Sequence, residues 1–174
     1  MTPKNKVLIG LVIAALISRI APHYPNFTAM GALAFMGANQ NKSLFKIIAL
    51  TFGVLMVSDL FINNFIYPSG SFVLMYKGSL FTYAGFILYA VAGRFAKTGA
   101  KGIIALVAGS IGFFLRSNLG VFLSEFSLYP RTITGLVATY AAGLPFYVQE
   151  FISTSLFRDI AYAAHIKLVA SAKT

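Results

Sequence analysis

RIAPHYPNFTAMGALAFMGA, Arg19 to Ala38, interrupts an otherwise apolar chain and decides how the rest is read. Pro22 and Pro25 end the helical pattern before them, because proline lacks an amide donor and restricts the residue ahead of it. Arg19, His23 and Asn26 bring polar groups to the break. A short apolar run follows, from Phe27 to Asn39, too brief to cross a hydrocarbon core of about 30 Å unaided. A short apolar segment behind a proline break, among segments that read as membrane helices, points to a binding site.

Outward from that stretch, composition sets the class. The 174 residues are 58% hydrophobic and 10% charged, with a mean hydropathy of +0.80, whereas soluble domains carry roughly 25% charged residues. A water-soluble fold cannot cover itself with so little charge. The expectation is an all-α, polytopic membrane helix bundle forming a single integral membrane domain over residues 1–174. The absence of cysteine excludes disulfides, thiolate metal sites and cysteine nucleophiles. His23, His165, Asp59, Glu125, Glu150 and Asp159 are too few and too scattered for a metal centre, so neither metal nor cofactor is expected. In a soluble protein the net charge of +10 would suggest nucleic acid. Here the basic residues fall between apolar segments, where they orient helices, and the partner they imply is the lipid bilayer rather than nucleic acid.

The start, MTPKNK followed by VLIGLVIAALIS, has the basic and apolar regions of a signal peptide without a clean A-x-A site, and reads as a retained first helix, Val7 to Ile20. Gly10, Ala14 and Ser18 recur on it at four-residue spacing. Such small residues let another helix approach closely in lipid, whether inside the bundle or on a partner subunit. The short second helix is Phe27 to Asn39, and Gln40 to Lys42 make a turn. A third helix spans Ser43 to Phe65, the YPSG turn follows at Tyr67, a fourth runs from about Lys77 to Phe95, and a fifth from Gly102 to Leu123. Arg131 to Leu144 is apolar but short. Gly143 and Pro145 break it, which predicts a separate helix lying at the membrane interface or folded back on the bundle, before a last helix from Tyr147 to Ile166. Adjacent Arg158 and Asp159, deep on that last helix, point about 100° apart and are each expected to find another partner.

Six crossings with both termini cytoplasmic put Lys4, Lys6, Lys42, Lys46, Arg94, Lys97, Lys101, Lys167 and Lys173 inside and Arg19, Lys77, Arg116 and Arg131 outside, as the positive-inside rule asks. The same topology brings Arg19, Asn26, Asp59, Arg116, Asn118, Arg131 and Glu150 to one depth in the outer part of the membrane. Ionisable groups there are costly, and they pair or line a wet cavity. Asp59 with Arg19 or Arg116 is the expected ion pair. One reading is an outward-facing pocket for a polar small molecule, an anion included, with Tyr24, Phe27, Tyr83 and Tyr129 as walls. The other is that these side chains snorkel to headgroups or brace the fold.

PNFTAMGALAFMGA, SDLF at Ser58 to Phe61, RSNLGVFL at Arg116 to Leu123, YPRTITGL and AGLPF together resemble a family of small uncharacterised bacterial membrane proteins (DUF6580-like) over about Arg19 to Asp159. That family is similar to the S components, the substrate-binding subunits of energy-coupling-factor (ECF) vitamin transporters. The likeness rests on the six-helix plan, the PNFT phrase before a short second helix and GLPF before the last. The resemblance implies an S-component-like bundle in the bacterial inner membrane whose pocket opens outward under the loop between helices one and two. It also implies that Gly10 and Ala14, with Ser18 on the same stripe, face a coupling transmembrane subunit. Glu150 stands where biotin-type S components carry an acid, but their Gly-Asp-x-x-Lys pattern is replaced by Gln149-Glu150. The chain carries no nucleotide-binding motif, so ATPases would be other chains.

The function expected is therefore capture of a vitamin-like or other small polar molecule for import. The alternative is a non-catalytic accessory subunit of a larger membrane complex. No nucleophile–base or metal spacing supports an enzyme, and no internal repeat supports a carrier built on Asp59.

Overall fold

A computed structural model describes residues 1–22, 24–40, 43–96, 99–124 and 127–172. His23, Asn41, Lys42, Lys97, Glu125 and Lys173, used above, lie outside the described residues. Among the described residues the fold is all-helical, with no strands: α1 Pro3–Ile20, α2 Met30–Gln40, α3 Leu44–Phe61, α4 Ser79–Phe95, α5 Ala100–Leu123 and α6 Ile133–Ser171. A π-helical turn, Ile62–Ile66, prolongs α3.

The helix starts follow local chemistry. The Thr2 hydroxyl accepts from the Asn5 amide at 3.3 Å, with Pro3 in the first turn of α1. Ser43 and Thr132 serve α3 and α6 in the same way. α1 stops at Ala21, ahead of Pro22. The chain reverses through Asn26, whose φ of 63° is the left-handed conformation that asparagine tolerates better than most residues. Ser18 then ties the reversal down: its hydroxyl donates to the Ala15 carbonyl at 3.2 Å and accepts from the Ala29 amide at 3.0 Å.

The short helix predicted from Phe27 to Asn39 is the hub. Every residue of α2 from Met30 to Ala38 is buried, and α2 packs against all five other helices. A helix apolar all round is stable only when surrounded. At 11 residues it is roughly 16 Å long, half a hydrocarbon core. The approach to α4 is backbone to backbone. A Cβ on Gly93 would lie 2.1 Å from the Phe35 carbonyl oxygen. Beside that contact the Asn39 amide donates to the carbonyls of Gly93 at 3.2 Å and Ala96 at 2.9 Å, closing the end of α4.

Two expectations are corrected. The interfacial segment and the last helix are one helix, α6, which runs 39 residues through Pro145. Proline removes one hydrogen bond, but α5 holds α6 on the N-terminal side of it. The Tyr140 hydroxyl donates to the Leu115 carbonyl at 2.9 Å, and Gly143 sits against the Asn118 carboxamide. Arg158 and Asp159 do pair: Nη2 lies 3.1 Å from Oδ1, because the long guanidinium swings across the 100° offset.

Among the described residues there are six helices, the number of membrane crossings expected from sequence. Among the described residues, two stretches are by length and composition long and apolar enough to cross a membrane, Leu44–Ile66 and Ala100–Leu123, and α4 is a shorter apolar helix. The outward faces of the helices carry large apolar side chains, such as Ile9, Ile13 and Ile17 on α1, Ile104 and Ile111 on α5, and Ile152 and Ile160 on α6.

Candidate functional site

The consecutive helices alternate in direction, so the ends of α1, the π turn and α5 meet the starts of α4 and α6. At that end lies an open cavity of about 840 Å³. Two polar knots frame it.

The first knot joins α1, α3 and α4. The Arg19 guanidinium donates to the Ser58 hydroxyl at 2.7 Å through Nε and forms an ion pair with Asp59 through Nη2. The other Asp59 oxygen accepts from the Tyr83 hydroxyl at 2.7 Å. Both carboxylate oxygens are thus used, and Asp59 is buried behind Arg19 rather than on the cavity wall.

The second knot joins α6, α4 and α5. Glu150 Oε2 accepts from the Tyr89 hydroxyl at 2.8 Å and the Ser110 hydroxyl at 3.2 Å, and Oε1 accepts from Thr154 at 2.8 Å. α2 closes the back of this knot at Gly31, where a Cβ would meet Thr154 Oγ1 at 2.0 Å and Glu150 Oε1 at 3.0 Å. Glu150 is only 4% exposed, and what it exposes faces the cavity.

Between the knots the walls are aromatic. Phe86 and Phe113 meet at a tilt of 44° with centroids 4.6 Å apart, and Phe114 and Tyr147 at 53° with centroids 5.0 Å apart. Hydroxyls and amides from Thr28, Ser117, Asn118 and Thr139 interrupt them. Asn118 donates to the Phe114 carbonyl at 2.9 Å, which fixes its carboxamide. At the mouth Asn64 clasps the loop before α4. Its amide donates to the Val73 carbonyl and its oxygen accepts from the Val73 amide, both at 2.9 Å. Tyr76 lines the cavity from that loop, and withdrawal from water pushes its phenol up from the ordinary value.

Of the residues singled out from sequence, Arg19, Asn26, Asn118 and Glu150 line the cavity, and Asp59 stands directly behind Arg19. Arg116 and Arg131 do not line it. The Arg116 guanidinium lies 4.4 Å from the centre of the Phe81 ring, an attraction that suits its flat, weakly hydrated head. Arg131 donates to the carbonyls of Leu123 at 2.8 Å and Ser124 at 3.2 Å, satisfying orphan acceptors at the end of α5. Tyr129 is a wall residue, whereas Tyr24 is exposed, Phe27 packs edge-on against Phe157, and Tyr83 works as the Asp59 donor.

The small residues of α1 do not form one face. Gly10 is exposed, with nothing within 4 Å of where its Cβ would stand, Ala14 packs against the core, and Ser18 turns inward to the Ala29 amide. Four-residue steps drift about 40° each on a helix.

Sequence reasoning missed Tyr89, Ser110 and Thr154, the donors to Glu150. The available signal was a serine or threonine inside an apolar helix, which requires a partner. Among the described residues no group of three or more His, Asp or Glu side chains could hold a metal ion.

These features define a class: an all-α bundle built round a short buried helix, with an aromatic-walled polar cavity at one end. The chain belongs to the family of unknown function DUF6580, which it matches over residues 1–173. No curated protein and no solved structure matches it.

Proposed function

We propose that this chain is an S-component-like membrane subunit that captures a small molecule in the cavity between α1, α4, α5 and α6. The observation that carries this reading is the cavity itself. Its roughly 840 Å³ falls within the range of ligand pockets, about 300–1,000 Å³, and it combines ring walls with a few fixed polar groups.

The membrane setting is supported by the two long apolar stretches and by the apolar outward faces of the other helices. Lys4, Lys6, Lys46, Arg94, Lys101 and Lys167 cluster at the helix ends away from the cavity. That asymmetry supports a bacterial inner-membrane bundle of six crossings, with cytoplasmic termini and a cavity open to the outside. The solute would be vitamin-like or another small polar compound. Import would need a coupling transmembrane subunit and ATPases from other chains, and the chain itself would be non-catalytic.

The second reading, an accessory subunit of a larger complex, is favoured by one observation. The face of α1 bearing Gly10, Ile9, Ile13 and Ile17 is open to a neighbouring helix. Native mass spectrometry on protein extracted gently from its own membranes separates the two. Capture predicts a near-stoichiometric small molecule on the chain. A fixed set of partner subunits with an empty cavity in every preparation would sink the capture reading and leave the accessory one.

A further inference from the structure

The charge around the cavity is unevenly answered. Arg19, on one wall, has its charge met by Asp59. Arg116 and Arg131, the other arginines singled out from sequence at this end, turn to the Phe81 ring and to backbone carbonyls. Glu150, also on the cavity wall, is held by three neutral hydroxyls, and among the described residues no cation forms an ion pair with it. A carboxylate offers about four acceptor positions. The three hydroxyls fill two on Oε2 and one on Oε1, which leaves one place on Oε1. A buried carboxylate without a countercharge is costly, and a ligand that brings one is favoured. The faces of the aromatic walls are negative and attract cations in the same space.

We infer that the cavity takes a small organic cation, a protonated amine or amidinium on a flat apolar body, with its charged end at the Glu150 carboxyl group and its body between the Phe86–Phe113 and Phe114–Tyr147 pairs. This rests on the cavity being a binding site at all, and it narrows the polar small molecule expected from the sequence, an anion included, to a cation. A protonated amine is also the headgroup chemistry of an aminophospholipid, so the occupant comes either from solution or from the bilayer.

The test uses two probes that share a ring system and differ in charge, 1-naphthylmethylammonium and 1-naphthoate. Their fluorescence is titrated against purified full-length protein in neutral maltoside micelles, with empty micelles subtracted, and the absence of tryptophan leaves the naphthalene signal clear. The cation should bind at least about tenfold more tightly than the anion, the scale of one charged hydrogen bond. Glu150→Gln, which keeps the shape and removes the charge, should abolish that ratio. Tighter binding of naphthoate overturns the inference while leaving the cavity a site. So does a Glu150→Gln protein that keeps the wild-type ratio. The wild-type ratio stands without any variant, so poor folding of Glu150→Gln does not blunt the test. If neither probe binds above empty micelles, the cavity reading fails and this inference with it. Competition by short-chain phosphatidylethanolamine supports the headgroup as the source of the cation, and its absence supports a free solute.

Discussion

Replacing Gly93 with alanine tests the hub of the fold most directly. The added methyl would stand 2.1 Å from the Phe35 carbonyl oxygen, 2.7 Å from its carbon and 2.8 Å from its Cα. Favourable heavy-atom contacts lie near 3.5–4.0 Å, so α2 and α4 must part by more than about 1 Å. The atoms met are backbone and cannot swing aside as a side chain would. Parting the helices also stretches the Asn39 bonds to Gly93 and Ala96. We therefore place the cost at the top of the overpacking range, about 3 kcal/mol. For a chain of this size that is a fall in melting temperature of roughly 6–12 °C. Circular dichroism melts in one detergent measure it, with Gly10→Ala as the control. Gly10 has open space around it, and alanine there should be neutral or stabilising by up to about 1 kcal/mol through helix propensity. A Gly93→Ala protein that melts within 2 °C of wild type would show that the two backbones are not in contact, and the central position of α2 would have to be given up.

Other consequences are open to the same kind of measurement. Asp59→Asn strands a guanidinium that keeps only 16% of its side-chain surface exposed, and should cost about 2–3 kcal/mol, whereas replacing Arg19 and Asp59 together by Met and Leu should cost clearly less; equal losses in the single and double variants would refute the pairing. Asn64→Ala removes both bonds to Val73 and about 1–2 kcal/mol of local stability, and hydrogen exchange at the Val73 amide should quicken by tenfold or more; unchanged exchange would show that the clasp does not hold the loop. Pro145 is exposed within α6, so Pro145→Ala should leave the melting temperature unchanged or raise it by restoring a helical amide donor; a loss above about 1 kcal/mol would point to a break at Pro145 that the long helix does not have.

What the sequence made legible was depth along the helices. Counting residues from each helix end brought Arg19, Asn26, Asp59, Asn118 and Glu150 to one end of the bundle, and the structure gathers all five there. The proline break marked the short buried helix for the same reason, because a run of eleven residues without a polar face has nowhere to go but the centre. Two things were illegible. Whether α6 is broken at Pro145 depends on whether a neighbour grips the helix beside the proline, and Tyr140 on Leu115 with Gly143 on Asn118 supplies that grip across 25 residues of sequence. Which way each polar side chain turns depends on the azimuth of its helix, and that is set by packing. Ser110 looked inert until packing of α5 against α6 brought Glu150 beside it.

Azimuth also decides the sign of the site. Arg19, Arg116 and Arg131 sit at one end of the bundle, and by depth alone they would make it a site for anions. Rotation about the helix axes removes two of them, one to a phenylalanine ring and one to the carbonyls at the end of α5, and gives the third an aspartate. Among the described residues Glu150 is the one acid on the cavity wall, and the partners of its carboxyl group are hydroxyls. Hydroxyls orient a carboxyl group without supplying a countercharge, although the whole chain is strongly basic. Net charge thus describes how this protein sits relative to its surroundings, while the cation preference inferred for its cavity follows from one buried carboxyl group and the three neutral side chains around it.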